Sequence, residues 1–282
     1  MHSRKKFKRQ KGGAGFLFVL FVFGSFMTVP FLYAIMQSFK PIQEILIFPP
    51  RFYVSSPTLD NFRQLFRSVG GDWIPFGRYV VNSLFVTFTV TVGHIAVSLL
   101  AAFPLAKLKF KGSRAIFKLI TYSLLFSGPV TAFPQYILMS KIGLIDTYFA
   151  LILPFVATPM GAFLLKNFLV QIPDSMLEAA RIDGASNYRT LFHIVTPNMK
   201  PAVLTLVILT FQSVWNGGGT SFVFTEKLKV LPTLLSQIVA SGVARMGVGA
   251  ASAVLMMILP LTVFLITQSQ IIETMAFSGI KD

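Results

Sequence analysis

Apolar residues fall in long runs separated by short, mostly basic segments. Runs over 16–36, 79–106, 116–139, 148–165, 201–222 and 248–268 each approach or exceed the 17–25 residues with which a helix crosses a bilayer. The pattern predicts an all-α polytopic membrane protein with six transmembrane helices. The longest polar-containing segment of the C-terminal half breaks this rhythm. Residues 173–197 read P-D-S-M-L-E-A-A-R-I-D-G-A-S-N-Y-R-T-L-F-H-I-V-T-P. Ser175 and Glu178 have the spacing of a capping box, predicting a helix from about Met176. Asp183-Gly184 is a turn signal, with Gly184 free to take the left-handed conformation that ends a helix. Ser186 can cap a second helix, which Pro197 is expected to stop.

Composition strengthens the membrane reading. The 282-residue chain is 54% hydrophobic and 12% charged, with a mean hydropathy of +0.70. Soluble domains carry about 25% charged residues. No polar stretch is long enough for a second folded domain. The absence of cysteine excludes thiol chemistry, disulfides and iron–sulfur clusters.

The net charge of +15 raises nucleic acid as a partner, but its distribution answers to topology. Sixteen basic residues fall in the segments that an N-in, C-in arrangement places inside, and nine fall outside. The inside set includes Arg4, Lys5, Lys6, Lys8, Arg9 and Lys11, then Lys107, Lys109, Lys111, Arg114 and Lys118. The ten acidic residues split evenly. This is the positive-inside pattern of a bilayer protein and removes the support for nucleic acid. Residues 1–15 then form a cytoplasmic basic N-terminus, which can also meet anionic lipid. The run after them is too long for a signal peptide and is read as an uncleaved span. Residues 173–197 lie in the cytoplasm between the fourth and fifth spans, and 273–282 form a cytoplasmic tail.

In that position the segment resembles a known signature. Glu178-Ala179-Ala180, then Gly184, Ile194 and Pro197 have the spacing of the "EAA" loop. The loop marks permease subunits of ATP-binding-cassette importers; here Thr196 replaces the usual Leu before the proline. The likeness covers nearly the whole chain, in the form of the maltose-type carbohydrate permeases. Lys40-Pro41 with Glu44 and Pro49, then Leu59-Asp60-Asn61-Phe62, resemble the family's first outer loop. Gly143-Leu144-Ile145-Asp146-Thr147-Tyr148 is similar to "G-L-x-N-T-Y", with Asp146 in place of the usual Asn. Trp215-Asn216 resembles the family's "W-N" pair near the outer part of the fifth span. The stretch Met275 to Asp282 resembles the family tail, without its second Gly, so Ser278, Gly279 and Lys281 become candidates for contact with an ATPase. The E-T-M-A tail resembles a Gram-positive branch linked to complex polysaccharides or uronate-containing oligosaccharides.

The resemblance implies a non-catalytic subunit of an importer in a bacterial inner or cytoplasmic membrane. Its partners would be two ATPase subunits, a second similar permease, an extracytoplasmic solute-binding protein and a carbohydrate, of oligosaccharide size. ATP and Mg would bind the ATPase, and this chain would hold no cofactor or metal. ATPase docking falls to Glu178, Ala179, Ala180, Arg181, Asp183, Gly184, Ser186, Ile194 and Pro197. The small Ala179 and Ala180 would allow close approach, and Glu178 and Arg181 would set orientation. Candidates for the substrate path are Trp215, Asn216, Tyr136 and Gln212, since amides can bond sugar hydroxyls and aromatic rings can stack on sugars.

The chain departs from the family pattern at Gly217, Gly218 and Gly219. These residues predict either a broken, widened fifth span lining a cavity or a plain helix end. His94 lies in the second span, where a lone buried histidine is more often bonded to a neighbouring helix than functional. The Ser and Thr of that span read as helix–helix packing residues. There is no G-x-x-x-x-G-K-[ST] loop, metal-ligand spacing, G-x-S-x-G elbow or paired acid set. Span centres carry almost no charge, which disfavours a self-sufficient ion-coupled carrier. A permease for amino acids or peptides remains the nearest alternative.

Overall fold

The computed structural model describes residues 13–67, 74–108, 110–126, 128–217 and 222–278. The described residues are helical with connecting turns, and no strand occurs among them. Four helices are long and apolar enough to cross a membrane, or six if each of two bent pairs forms one span. The basic residues 4–11, Lys109, Gly218, Gly219, Gly279 and Lys281 lie outside the described residues.

Helix α1 (Gly13–Ser38) is followed by the short α2 (Ile42–Ile45) and α3 (Asp60–Arg67). The central helix is α4 (Phe76–Lys107), whose 32 residues reach about 48 Å at 1.5 Å per residue. The predicted third span is divided into α5 (Ser113–Ser123) and α6 (Gly128–Lys141), bent by 110°. Prolines divide the fourth into α7 (Tyr148–Val156) and α8 (Pro159–Leu169). The intervening segment holds α9 (Asp174–Ile182) and α10 (Asn187–Asn198). Then come α11 (Lys200–Gly217), α12 (Leu231–Ala240) and α13 (Met246–Ser278).

Three features add to the sequence expectation. The helix of the fifth span is described as far as Gly217, residues 218–221 lying outside the described residues, and a sharp 84° bend lies at its start, beside Met199. The ten-residue α12 was not anticipated, because its short apolar run lacks the length of a span. The last helix continues to Ser278, so the beginning of the expected polar tail is helical. A helix already nucleated by a long apolar stretch extends cheaply through good helix formers, and 268–278 contains no proline or glycine to stop it.

Helix α4 is a spine onto which α7, α8 and α11 pack. It carries a buried polar stripe, Asn82, Ser83, Thr87, His94 and Ser98. In hydrocarbon a polar group without a partner is costly, so such residues should tie helices together. Asn82 Nδ2 donates to the carbonyls of Lys227 and Lys229, each at 2.9 Å, and Asn82 Oδ1 accepts from the Tyr148 hydroxyl at 2.9 Å. Ser83 Oγ accepts from Leu231 N at 2.7 Å. His94 meets the break between α7 and α8. Pro159 cannot donate to Phe155 O, which instead accepts from Thr158 Oγ1 at 2.7 Å. The Val156 carbonyl lies 3.0 Å from His94 Nδ1, so that nitrogen carries the proton. Histidine as a helix-to-helix bond is therefore the reading the structure supports.

Two ends of the bundle follow. At one, Asn61 Nδ2 donates to the carbonyls of Ser38 and Lys40 at 2.9 and 2.8 Å, folding α2 and α3 into a cap. The cap sits on the start of α13, where a Cβ on Gly247 would lie 2.3 Å from Asn61 Oδ1. Tyr79 at the N-terminal end of α4 donates to Glu226 Oε1 at 2.6 Å. At the other end, Lys107 at the C-terminus of α4 reaches the start of α9. Helix α1 packs along α13 and otherwise presents apolar residues outward, as lipid or another apolar surface requires.

Candidate functional site

The unit of α9 and α10 is built from local rules. Pro173 precedes α9 with extended backbone, and Asp174 opens the helix two residues earlier than the expected start. The capping box does not form: the residue that caps is Pro173, with no side-chain cap bond, and Ser175 and Glu178 are exposed. Lys107 takes the anchoring role instead. Its ammonium donates to Ile172 O at 2.6 Å and to Asp174 Oδ1 at 2.7 Å. A carboxylate in the first turn also suits the positive end of the helix.

The end of α9 follows the sequence closely. Gly184 has φ of +76°. Its N–H donates to Arg181 O at 3.0 Å, and Ala185 N–H donates to Ala180 O at 2.9 Å. These two bonds are the Schellman arrangement, which needs a left-handed residue at Gly184. Ser186 Oγ then accepts from Arg189 N at 3.3 Å and caps α10. Pro197, however, does not stop that helix, which reaches Asn198. Residues Thr190–Val195 form a wider π turn, which relieves the clash a proline imposes on the preceding turn. Thr196 Oγ1 and Asn198 Nδ2 return bonds to Leu191 O and Ile194 O at 2.8 and 2.6 Å.

The unit has two faces. Leu177, Ala180, Leu191, Val195 and Met199 are buried, and all but Ala180 belong to one apolar cluster with Leu99, Phe103, Leu165, Leu169 and Leu206. That cluster joins the unit to α4, α8 and α11. Outward lie Glu178, Ala179, Arg181, Asp183, Gly184, Ser186 and Pro197, with Ile194 half-buried. Of the two alanines only Ala179 faces outward; Ala180 is 4% exposed and packs inward, since adjacent positions on a helix point 100° apart. Sequence reasoning missed three apolar members of this surface: Ile182 is 86% and Tyr188 70% exposed, and Phe192 is also exposed. Their signal was an apolar side chain on the polar side of each short helix. A cavity of about 270 Å³ opens where the start of α9 meets the junction of α10 and α11, between Phe168, Met176, Asn198, Met199 and Pro201. Among the described residues, no three His, Asp or Glu side chains gather where a metal ion could sit.

The candidate path residues separate. Gln212, Ser213, Asn216 and Gly217 share one exposed face of α11, and Asn216 Nδ2 donates to Gln212 O at 2.9 Å. Trp215 lies on the other face, 3% exposed, with its indole N–H donated to Met256 O at 2.9 Å and its ring stacked on Phe211. Tyr136 is on α6 and stacks on Phe222 with centroids 6.3 Å apart. Ser278 ends α13, and its companions Gly279 and Lys281 lie outside the described residues.

A clasp near this path holds the segment after α11. Asp146, at φ of +61°, accepts from Phe224 N at 3.0 Å, from Thr225 N at 2.8 Å and from the Thr225 hydroxyl. The Thr225 hydroxyl, followed by the Thr225 and Phe224 N–H groups, holds its carboxyl below the usual carboxylate range.

Comparison with known proteins places this architecture. The chain is 34% identical over 198 residues to Protein LplC of Bacillus subtilis, a match covering 68% of this chain and 63% of LplC. It is 33% identical over 208 residues to the arabinooligosaccharides transport system permease protein AraQ of Halalkalibacterium halodurans, covering 72% of this chain and 70% of that protein. It is 37% identical over 148 residues to the sn-glycerol-3-phosphate transport system permease protein UgpE of Yersinia pestis, covering 52% and 53%. The matched segment thus spans less than two thirds of LplC and about half of UgpE. The fold is that of a chain in the crystal structure of a bacterial ABC transporter involved in the import of the acidic polysaccharide alginate. That match has a TM-score of 0.78 at 21% identity and covers 94% of this chain and 99% of that one. A family profile, binding-protein-dependent transport system inner membrane component, matches residues 4–274. Helices of spanning length, the braced polar unit between two of them and a family match over nearly the whole chain agree: this protein belongs to the inner membrane components of binding-protein-dependent transport systems.

Proposed function

We propose that the chain is the permease subunit of an ATP-driven importer that carries an oligosaccharide into the cytoplasm. The observation that carries this reading is the two-faced unit α9–α10, whose inner face shares one apolar cluster with α4, α8 and α11. An ATPase subunit docks on the outer face, through Glu178, Ala179, Arg181, Asp183, Gly184, Ser186, Ile182, Tyr188 and Phe192, and one of its side chains enters the neighbouring cavity. Because packed interiors move as units, force on α9 passes to the three helices together. The basic segments then lie in the cytoplasm, with both chain ends on that side and six spans between. ATP and Mg sit on the ATPase, two copies of which pair with this chain and a second similar permease.

The polar face of α11 supports a translocation path. Exposed amides at membrane depth belong against a wet cavity or another protein, not lipid. Gln212 and Asn216 meet the sugar hydroxyls, Tyr136 adds a stacking face, and buried Trp215 holds α11 against α13. An extracytoplasmic binding protein delivers the substrate at the opposite end. The names of AraQ and of the alginate transporter favour a carbohydrate, and LplC of Bacillus subtilis agrees with a bacterial membrane setting. The UgpE likeness keeps a phosphorylated polyol as the second reading.

The test is reconstitution of the chain with its ATPase, second permease and binding protein in vesicles. Arabino-oligosaccharides, uronate oligosaccharides and sn-glycerol-3-phosphate are offered in turn. ATP hydrolysis and uptake should rise with an oligosaccharide. A response to glycerol phosphate alone selects the second reading, and uptake without ATP or partners rejects both.

A further inference from the structure

Helix α5 has features that a coupling role does not use. Arg114 and Lys118, four residues apart, share one face of the helix, and Lys111 stands in the turn just before it. All three are exposed. The opposite side carries Ile116 and Leu119, exposed at 44% and 69%, and no residue of α5 is buried. In a chain of six spans α5 opens the third, so cations on one side of its start and exposed apolar residues on the other stand at the headgroup level of the bilayer.

A fourth cation comes from the neighbouring helix. Lys166 of α8 places its ammonium 3.9 Å from the centre of the Phe117 ring, which itself stacks on Phe163 at 5.9 Å. Arg114 lies one turn before both Phe117 and Lys118, so the Lys166 ammonium stands on the flank of the α5 cationic face. No Asp or Glu occurs between residues 107 and 169 apart from Asp146, which is committed to Phe224 and Thr225. Among the described residues, no carboxylate lies within 4 Å of Lys111, Arg114, Lys118 or Lys166. The nearby Asp174 is taken by Lys107.

We infer that Lys111 just before α5 and Arg114 and Lys118 on it, with Lys166 on α8, form a binding site for the phosphate headgroup of an anionic phospholipid. The guanidinium can grip phosphate oxygens in a fork, the ammonium groups add charge, and Ile116 and Leu119 lie along the acyl chains. The site rests on the membrane location of these helices, but not on the substrate or on ATPase docking. It would fasten α5 next to the C-terminal end of α4, where Ser113 Oγ is 3.5 Å from Leu105 O, and so beside Lys107 and the start of α9.

The test uses the full chain purified with its partner subunits in nanodiscs of zwitterionic lipid. Phosphatidylglycerol is titrated in, and lipid retained on the complex is measured by native mass spectrometry. Wild type should retain phosphatidylglycerol over phosphatidylcholine. Arg114→Gln and Lys118→Gln should each weaken retention about five-fold, the factor matching about 1 kcal/mol per basic residue at an anionic surface. Lys141→Gln, which removes an exposed cation from the far end of α6, should leave it unchanged. Glycerol phosphate added in solution competes only if the headgroup alone is recognised. Its failure to compete, with phosphatidylglycerol still bound, assigns the site to the intact lipid. Equal retention by wild type and the Arg114→Gln/Lys118→Gln variant overturns the site. Loss of ATP-driven uptake in vesicles without change in lipid retention bears on the transport reading and leaves the lipid site standing.

Discussion

Lys107, the last residue of α4, holds the first turn of α9 through two bonds of different weight. The ammonium is buried, while its partner Asp174 is largely exposed, with 6% and 76% of their side chains accessible. An exposed carboxylate contributes little, about 0.2–1 kcal/mol. The bond to the Ile172 carbonyl matters more, because losing it leaves a polar group unpaired at a cost of about 1–3 kcal/mol. Lys107→Met should therefore loosen residues 171–183 in hydrogen exchange and reduce coupled ATP hydrolysis, while Asp174→Asn should do so only slightly. Equal effects would put the weight on the ion pair.

Gly184 permits a graded test of the turn. Its positive φ suits glycine, is tolerated by asparagine, and costs other residues about 1–2 kcal/mol. Transport should fall in the order Gly184→Asn, Gly184→Ala, Gly184→Pro, the last also removing the N–H bond to Arg181 O. Membrane insertion, followed by protease accessibility, should stay normal in all three. Normal uptake by Gly184→Pro would rule out a role for this turn in coupling.

The exposed apolar residues of the unit make a separate prediction. Ile182→Asp and Tyr188→Ser sit on the outer face and touch none of the shared cluster. They should lower retention of the ATPase subunit in pull-down of the complex at least ten-fold. The melting temperature of the isolated chain should change by no more than a degree or two.

Gly161 marks the closest approach of α8 to α4. A Cβ there would lie 2.1 Å from Ser98 Oγ and 2.5 Å from His94 Nε2. Gly161→Ala should destabilise the chain by about 1–3 kcal/mol, read as a lower melting temperature in detergent. Adding Ser98→Ala removes the nearest atom and should recover part of that loss.

The Asp146 clasp gives a pH dependence with a defined sign. Its folded pKa is depressed, so the clasp's contribution is present above the ordinary carboxylate range and is lost as pH falls through the lower, folded value. Protease cleavage within residues 222–230 should rise for wild type only in strongly acidic buffer. Asp146→Ala should be cleaved at neutral pH. Asp146→Asn keeps one acceptor oxygen, cannot ionise, and should show no acid-dependent change.

How legible the site was differs between its parts. The Gly184 turn and the Ser186 cap were readable because each depends on a few neighbouring residues and on backbone sterics. The start of α9 was misread because Ser175 and Glu178 offered a local cap, whereas Lys107, 67 residues away, supplied a tertiary anchor at Asp174. Pro197 was misread for a related reason: a π turn, with Thr196 and Asn198 bonding back to carbonyls, carried the helix past it.

The same division runs through the whole chain. The segment Pro173 to Pro197 was conspicuous from sequence, as were the helical class and the apolar runs, because in a bilayer hydropathy and backbone hydrogen bonding act residue by residue. Which alanine faces inward, what His94 bonds to, and that Trp215 is sealed against Met256 depended on how helices pack. Those facts belong to distances between residues far apart in the chain. No local rule contains them, since a side chain's neighbour across a helix contact is chosen only when both helices are in place.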